Sequence, residues 1–169
     1  MHYLLVDRLG IERLISERCF DFVLSFGSRT TNKELAMLCA KADVEFLEEG
    51  EGNDWVYVDE DCGNPKNVAK ILARSFTRHN GQMCNSIRGV LVHESVHAKF
   101  VKQLMNEVSA CKIGLPAKSD SRIGALITGT SDRARLIVED ATMNADRVWN
   151  YSINGNIMTP TLVFEPNEF

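Results

Sequence analysis

Residues 80–116 read NGQMCNSIRGVLVHESVHAKFVKQLMNEVSACKIGLP, and their order of loop, strand and helix decides the fold class. Gly81 lets the backbone turn tightly, so Asn80-Gly81-Gln82-Met83-Cys84 reads as a loop that delivers a cysteine. A substrate can approach a cysteine on such a turn more easily than one inside a helix. The apolar run Val90-Leu91-Val92 predicts a strand over 88–93. Ser95 is placed to cap the long helix that follows, whose Val96, Phe100, Val101, Leu104 and Val108 recur at helical spacing. Gly114 and Pro116 end that helix.

Upstream, Asn64-Pro65 opens another helix, with proline in its first turn and Val68, Ile71, Leu72 and Phe76 as its apolar stripe. Val44 to Leu47 and Trp55 to Val58 read as strands around the polar turn Gly50-Glu51-Gly52-Asn53-Asp54. Phe20 to Phe26 is a short apolar run, a buried strand that ends in the turn Gly27-Ser28. Thr31, with Glu34 three residues on, forms a capping box for a helix bearing Leu35, Leu38, Cys39 and Ala42. Residues 10–18 predict a first helix, with Ile11, Leu14 and Ile15 on one face. Downstream, a polar loop over 117–123 leads to a helix at about 130–145 and a strand at about 160–165. Strands alternating with helices imply an α/β fold, a largely parallel sheet flanked by helices.

The 169 residues fit one domain or one lobe of a larger one, and 44% hydrophobic content is enough for a core. A formal net charge of −4, with no basic run, argues against a nucleic-acid partner. No apolar stretch approaches a membrane span, and the start MHYLLVDRLG, with Asp7, makes a poor signal peptide. Five cysteines, Cys19, Cys39, Cys62, Cys84 and Cys111, make an odd number with no C-x-x-C pair. That argues against a disulfide framework and a thiolate zinc ribbon, and makes the reducing cytoplasm the expected compartment. Trp55 and Trp149 are expected to pack.

The stretch around Cys84 resembles the nucleophile region of the aldehyde dehydrogenase superfamily. FVLSFGSRTTNKELA at 22–36 is similar to the family's segment ending in a Gly-Ser turn that faces the cofactor. VEFLEEGEGNDWVYVDED at 44–61 resembles the segment carrying the family's glutamate, and IGALIT and MTPTLVFEPNEF resemble later parts of the catalytic domain. The matches keep family order over roughly residues 20–169. The resemblance implies a remnant of the dinucleotide-binding domain at 1–48 and the front of the catalytic domain at 49–169, a fold incomplete relative to the family. The family's oxyanion-hole asparagine and its E-x-F-G-P motif are not matched. The isolated chain is therefore expected to turn over weakly or not at all. Exposed sheet edges make association, including homo-oligomerisation, an expectation as well.

What the resemblance implies chemically is an NAD- or NADP-dependent oxidation of a small aldehyde. Cys84 would attack the aldehyde carbon to give a thiohemiacetal and then a thioester, which water releases as the acid. In the string Leu47-Glu48-Glu49-Gly50-Glu51-Gly52-Asn53, a gap-free match makes Glu48 the base that activates that water, and a shift of one selects Glu49. Gly50 falls on the family's first glycine, and Gly27 and Ser28 on the cofactor-facing turn. Aligning through Val90-Leu91-Val92 puts Gly89 where the family usually has an arginine, with Arg88 one earlier. Two further readings stay open within the superfamily: an acylating member that passes the acyl group to coenzyme A, and a non-catalytic member.

A rival motif is His93-Glu94-Ser95-Val96-His97, which matches the H-E-x-x-H zinc signature of metallopeptidases, with Glu139 as a conceivable third ligand. That chemistry needs His93 and His97 on one helix with Glu94 between them. The strand running up to His93 and the cap at Ser95 place His93 ahead of the helix, so no metal is expected.

Overall fold

The computed structural model describes residues 3–115, 117 and 120–166. Pro116, part of the loop expected over 117–123, and the last three residues lie outside the described ones. The chain divides into two compact units, Met1–Gly52 and Asn53–Phe169.

The first unit orders helix α1 (Arg8–Ser16), strand β1 (Phe22–Phe26), helix α2 (Arg29–Ala42) and strand β2 (Glu45–Glu49). Asp7 caps α1, its Oδ1 accepting from Gly10 N at 2.8 Å. β1 and β2 pair in parallel, with Leu24 opposite Leu47 and Ser25 opposite Glu48. A parallel pair needs a helical crossover, and α2 supplies it. Ile15, Cys39 and Val44 are buried between helices and sheet, with Val23, Leu35, Leu38 and Phe46 packed around them. The opposite sheet face is bare, although Phe22, Leu24, Phe26 and Leu47 are all apolar. Parallel strands are normally covered on both faces, so this face suits a covering layer.

The second unit begins with strand β3 (Asp54–Val58), helix α3 (Pro65–Thr77), a 3₁₀ turn (Arg78–Gly81), strand β4 (Ile87–Val92) and helix α4 (Glu94–Ser109). β3 and β4 are also parallel, with Val58 opposite Val92. Asn64 caps α3 through its side chain, and Pro65 occupies the first turn, as its sequence signal predicts. α3 and α4 pack on the sheet over Val58, Ala69, Leu72, Phe100, Leu104 and Val108. Helix α5 (Thr128–Asn144) follows, then strands β5 (Ala145–Trp149), β6 (Ile153–Asn154), β7 (Ile157–Met158) and β8 (Leu162–Pro166). β5 pairs antiparallel with β8, and the Arg147 guanidinium lies 4.2 Å from the Phe164 ring centroid. Trp149 packs against the core. β6 and β7 form a small hairpin around Gly155, whose φ is +57°.

The α/β class is as the sequence implies, with the strands among the described residues pairing two by two in four short sheets. Three local expectations are corrected. Ser28, not Thr31, caps α2, because its extended backbone at the end of the Gly27 turn aims its hydroxyl at Thr31 N (3.3 Å). Glu34 makes no capping box and pairs instead with Arg8. Ile71, expected in the α3 stripe, is 66% exposed, and Ala69 and Ala73 take the buried positions beside Leu72. Among the described residues no helix is long and apolar enough to cross a membrane.

Candidate active site

The cysteine loop is built from the end of α3. His79 (φ 50°, ψ 37°) and Asn80 (φ 57°, ψ 28°) are both left-handed, and Gly81 follows with φ +71°. Two consecutive non-glycine residues at positive φ, His79 and Asn80, cost free energy, and something must hold them. The Asn80 side chain does so: its Oδ1 accepts from Gly124 N at 3.0 Å, and its Nδ2 donates to Ala125 O at 3.2 Å. The 124–125 segment is itself tied back, with Arg122 N donating to Lys112 O at 2.8 Å and Gly114 N to Ile123 O at 2.9 Å. Gln82 closes the loop, its backbone N–H donating to His79 O. Cys84 emerges exposed beyond this braced turn, with its neighbour Ser86 buried.

Gly81 is required twice over. Its φ belongs to glycine, and a Cβ would come within 2.8 Å of Phe76 O. Gly81→Ala is expected to cost about 1–2 kcal/mol from the left-handed backbone alone. It is also expected to change the alkylation rate of Cys84 relative to that of Cys19. Denaturation and peptide mass spectrometry would check both, and an unchanged loop would show that the turn does not position the thiol.

The other four thiols are placed differently. Cys39 is fully buried in α2, and burial pushes its thiol up. Cys111 lies just past the α4 C-cap rather than on the helix, its Sγ donating to Glu107 O at 3.5 Å. Cys62 is half-buried and Cys19 exposed; all five are free.

Gly27 and Ser28 sit at the carboxyl end of β1, where α2 begins, and Glu48 and Glu49 end the neighbouring β2. In parallel α/β sheets that end is where ligands bind, and helix N–H groups there favour anions. The turn is held by Asn32, which is 0% exposed. Its Nδ2 donates to Glu49 O at 3.2 Å and Gly27 O at 3.3 Å, and its Oδ1 accepts from Ser25 Oγ at 2.8 Å. Strand alternation puts Glu48 on the face of Phe46 and Ser25, and Glu49 on the bare face of Leu47 and Phe26. Only one of the two carboxylates can face a given crevice. A Cβ on Gly50 would meet nothing within 4 Å. Glu48 belongs to the first unit and Cys84 to the second.

The aldehyde dehydrogenase family model matches residues 7–168, nearly the whole chain. The chain belongs to the aldehyde dehydrogenase family. It is 31% identical over 150 residues to a benzaldehyde dehydrogenase of Bacillus subtilis, covering 87% of this chain and 31% of that protein. It is 28% identical over 157 residues to a vanillin dehydrogenase of Pseudomonas fluorescens, covering 90% of this chain and 32% of that one. The fold matches aldehyde dehydrogenase 21 from Physcomitrella patens with a TM-score of 0.87 at 18% identity, over 95% of this chain and 33% of that chain. The chain thus spans about a third of the length of the aldehyde dehydrogenases it matches.

Within this chain the H-E-x-x-H residues are split as the strand reading expects. His93 is the N-cap of α4, which begins at Glu94, and its Nδ1 turns back onto Ser95 N (3.3 Å) and Ser95 Oγ (2.8 Å). Ser95, expected to cap, is therefore the partner of the cap. His97 lies inside the helix, so the two histidines do not share a helical face. Among the described residues no group of three or more His, Cys, Asp and Glu side chains is arranged to hold a metal ion, and Glu139 lies on α5. Gly89, which the sequence reading sets at the family's arginine position, is packed under the Trp55 ring, where a Cβ would come within 2.2 Å of the indole. Arg88 is exposed beside it. Asn80 and Asn32 are the supports that sequence reasoning missed. Asn80 stands directly before Gly81, a spacing that signals a left-handed asparagine.

Proposed function

We propose that this chain supplies the nucleophile and one edge of the dinucleotide site for NAD(P)-dependent oxidation of a small aldehyde to an acid. The observation that carries this reading is the exposed Cys84 on a turn whose unfavourable backbone is braced by Asn80. A strained, supported loop that presents one thiol is costly unless the thiol is used. The family membership and the benzaldehyde and vanillin dehydrogenases among its relatives support an aldehyde as the substrate.

In this reading the Cys84 thiolate adds to the aldehyde carbon, the C=O π electrons move to oxygen, and the backbone N–H of Cys84 is one donor to the resulting oxyanion. NAD or NADP, when bound, would supply the hydride acceptor for oxidation of the thiohemiacetal to the thioester. The residues present fit such a group's phosphates: the first N–H groups of α2 lie at the carboxyl end of a parallel strand, with the hydroxyl of Ser28 and the small Gly27 beside them. Glu48 takes a proton from the water that hydrolyses the thioester, with Glu49 as the alternative base. Residues 1–48 then belong to the cofactor domain and 49–169 to the catalytic domain. Free thiols fit a reducing, cytoplasmic setting. The bare apolar face of β1 and β2 fits association with further polypeptide.

The test is aldehyde capture. A carbonyl-¹³C-labelled benzaldehyde, mixed with the chain, is expected to show a protein-dependent signal from sp³ carbon that disappears when Cys84 is alkylated. Capture unaffected by alkylation of Cys84 would remove the thiol from the mechanism.

A further inference from the structure

An open groove of about 240 Å³ lies alongside the cysteine loop, within the second unit. Met83, Asn85 and Ser86, from the loop that carries Cys84, line it together with Arg74, Ser75 and Arg78 from the end of α3. The two arginines are exposed and take part in none of the ion pairs formed among the described residues. One cation near a helix C-terminus is favoured by the helix dipole. A second in the same groove repels the first unless an anion sits between them. Arg78 is also turned out of the helix, its backbone extended at φ −62° and ψ 132°. In a chain of net charge −4, two guanidinium groups outside those ion pairs, lining one groove with residues of the loop that carries Cys84, are an unusual concentration of positive charge.

From this geometry we infer that the groove is a subsite for an anionic group, and that the aldehyde delivered to Cys84 carries a carboxylate or a phosphate. Guanidinium groups hold both anions through charge-assisted, fork-shaped hydrogen bonds. Asn85 and Ser75 add neutral donors beside them. The inference rests on Cys84 as the nucleophile and adds the class of substrate it meets.

The experiment compares two alkylating reagents on the chain as it stands. Iodoacetate carries a carboxylate and iodoacetamide does not, and both react with a thiolate by displacing iodide. At low ionic strength the iodoacetate-to-iodoacetamide rate ratio at Cys84 is expected to exceed that at exposed Cys19 by about tenfold. In Arg74→Gln/Arg78→Gln that excess is expected to vanish, with the iodoacetamide rate and the melting temperature retained. Added salt is expected to erase it in the wild type. An unchanged ratio in the double variant overturns the subsite. The iodoacetamide rate reports the thiol by itself, so a Cys84 no faster than Cys19 towards iodoacetamide strikes the nucleophile reading instead. Protection of Cys84 from iodoacetamide by glutarate marks a carboxylate site, and protection by inorganic phosphate a phosphate site. Protection by neither overturns the proposal.

Discussion

Cys84→Ser is expected to abolish covalent capture of an aldehyde by this chain. The substitution changes one atom at an exposed position, so the braced turn from His79 to Gln82 remains and stability stays within about 0.5 kcal/mol. The chemistry changes far more. A thiol is partly thiolate near neutral pH and is a strong nucleophile, whereas a serine hydroxyl needs an adjacent base. Among the described residues no side chain makes a hydrogen bond to Cys84 that could provide one. In a form of the enzyme that turns over, the loss is expected to be roughly 10⁴-fold or more, as for nucleophile removal elsewhere. The ¹³C signal from bound sp³ carbon is the readout. Capture that persists in the serine variant would show that another group holds the aldehyde.

Phe100→Ala is expected to give the largest loss of stability, about 3–5 kcal/mol. Phe100 is 1% exposed and is the largest fully buried side chain among the described residues. It stands on α4 among Val58, Leu72, Ala73 and Leu104, where α3, α4 and the β3–β4 sheet meet. Truncation removes the ring's transfer free energy and leaves a cavity that helices fixed at both ends cannot close. Trp55 and Trp149 both belong to the second unit, so tryptophan fluorescence in urea follows that unit. The midpoint is expected to fall with little change in slope. A loss under about 1 kcal/mol would mean that the core is looser than the packing implies.

Much of the architecture was legible because several signals agreed at each element. α3 had a cap, a proline and a spaced stripe; the 88–93 strand and α4 were marked by an apolar run followed by helical spacing. Legibility failed where two residues compete for one role. Ser28 and Thr31 are both good caps, and the Gly27 turn, visible only in the backbone, selects Ser28. His93 caps α4 although histidine is an uncommon cap, so Ser95 attracted the sequence reading. β5 was missed because Ala145-Asp146-Arg147-Val148-Trp149 has no strict alternation, and its partner Leu162–Pro166 lies well downstream. The small hairpin around Asn154-Gly155 did carry a recognisable turn signal. Among the candidate site residues, Glu48 and Ser28 rest on family order, and Cys84 on the turn around Gly81 as well. Asn80 and Asn32 were not legible, because their work is hydrogen bonding to backbone distant in sequence. Such partners leave no local pattern.

The most direct test of Cys84 as the nucleophile is the alkylation rate of each of the five cysteines by iodoacetamide in the native chain, followed by peptide mass spectrometry. Cys19 is the reference, because it is exposed like Cys84 but lies outside the braced loop. Cys84 is expected to react fastest of the five, and Cys39, buried and with its thiol pushed up, slowest. If Cys84 instead reacts no faster than Cys19, the loop presents an ordinary thiol, and the proposed nucleophile is contradicted.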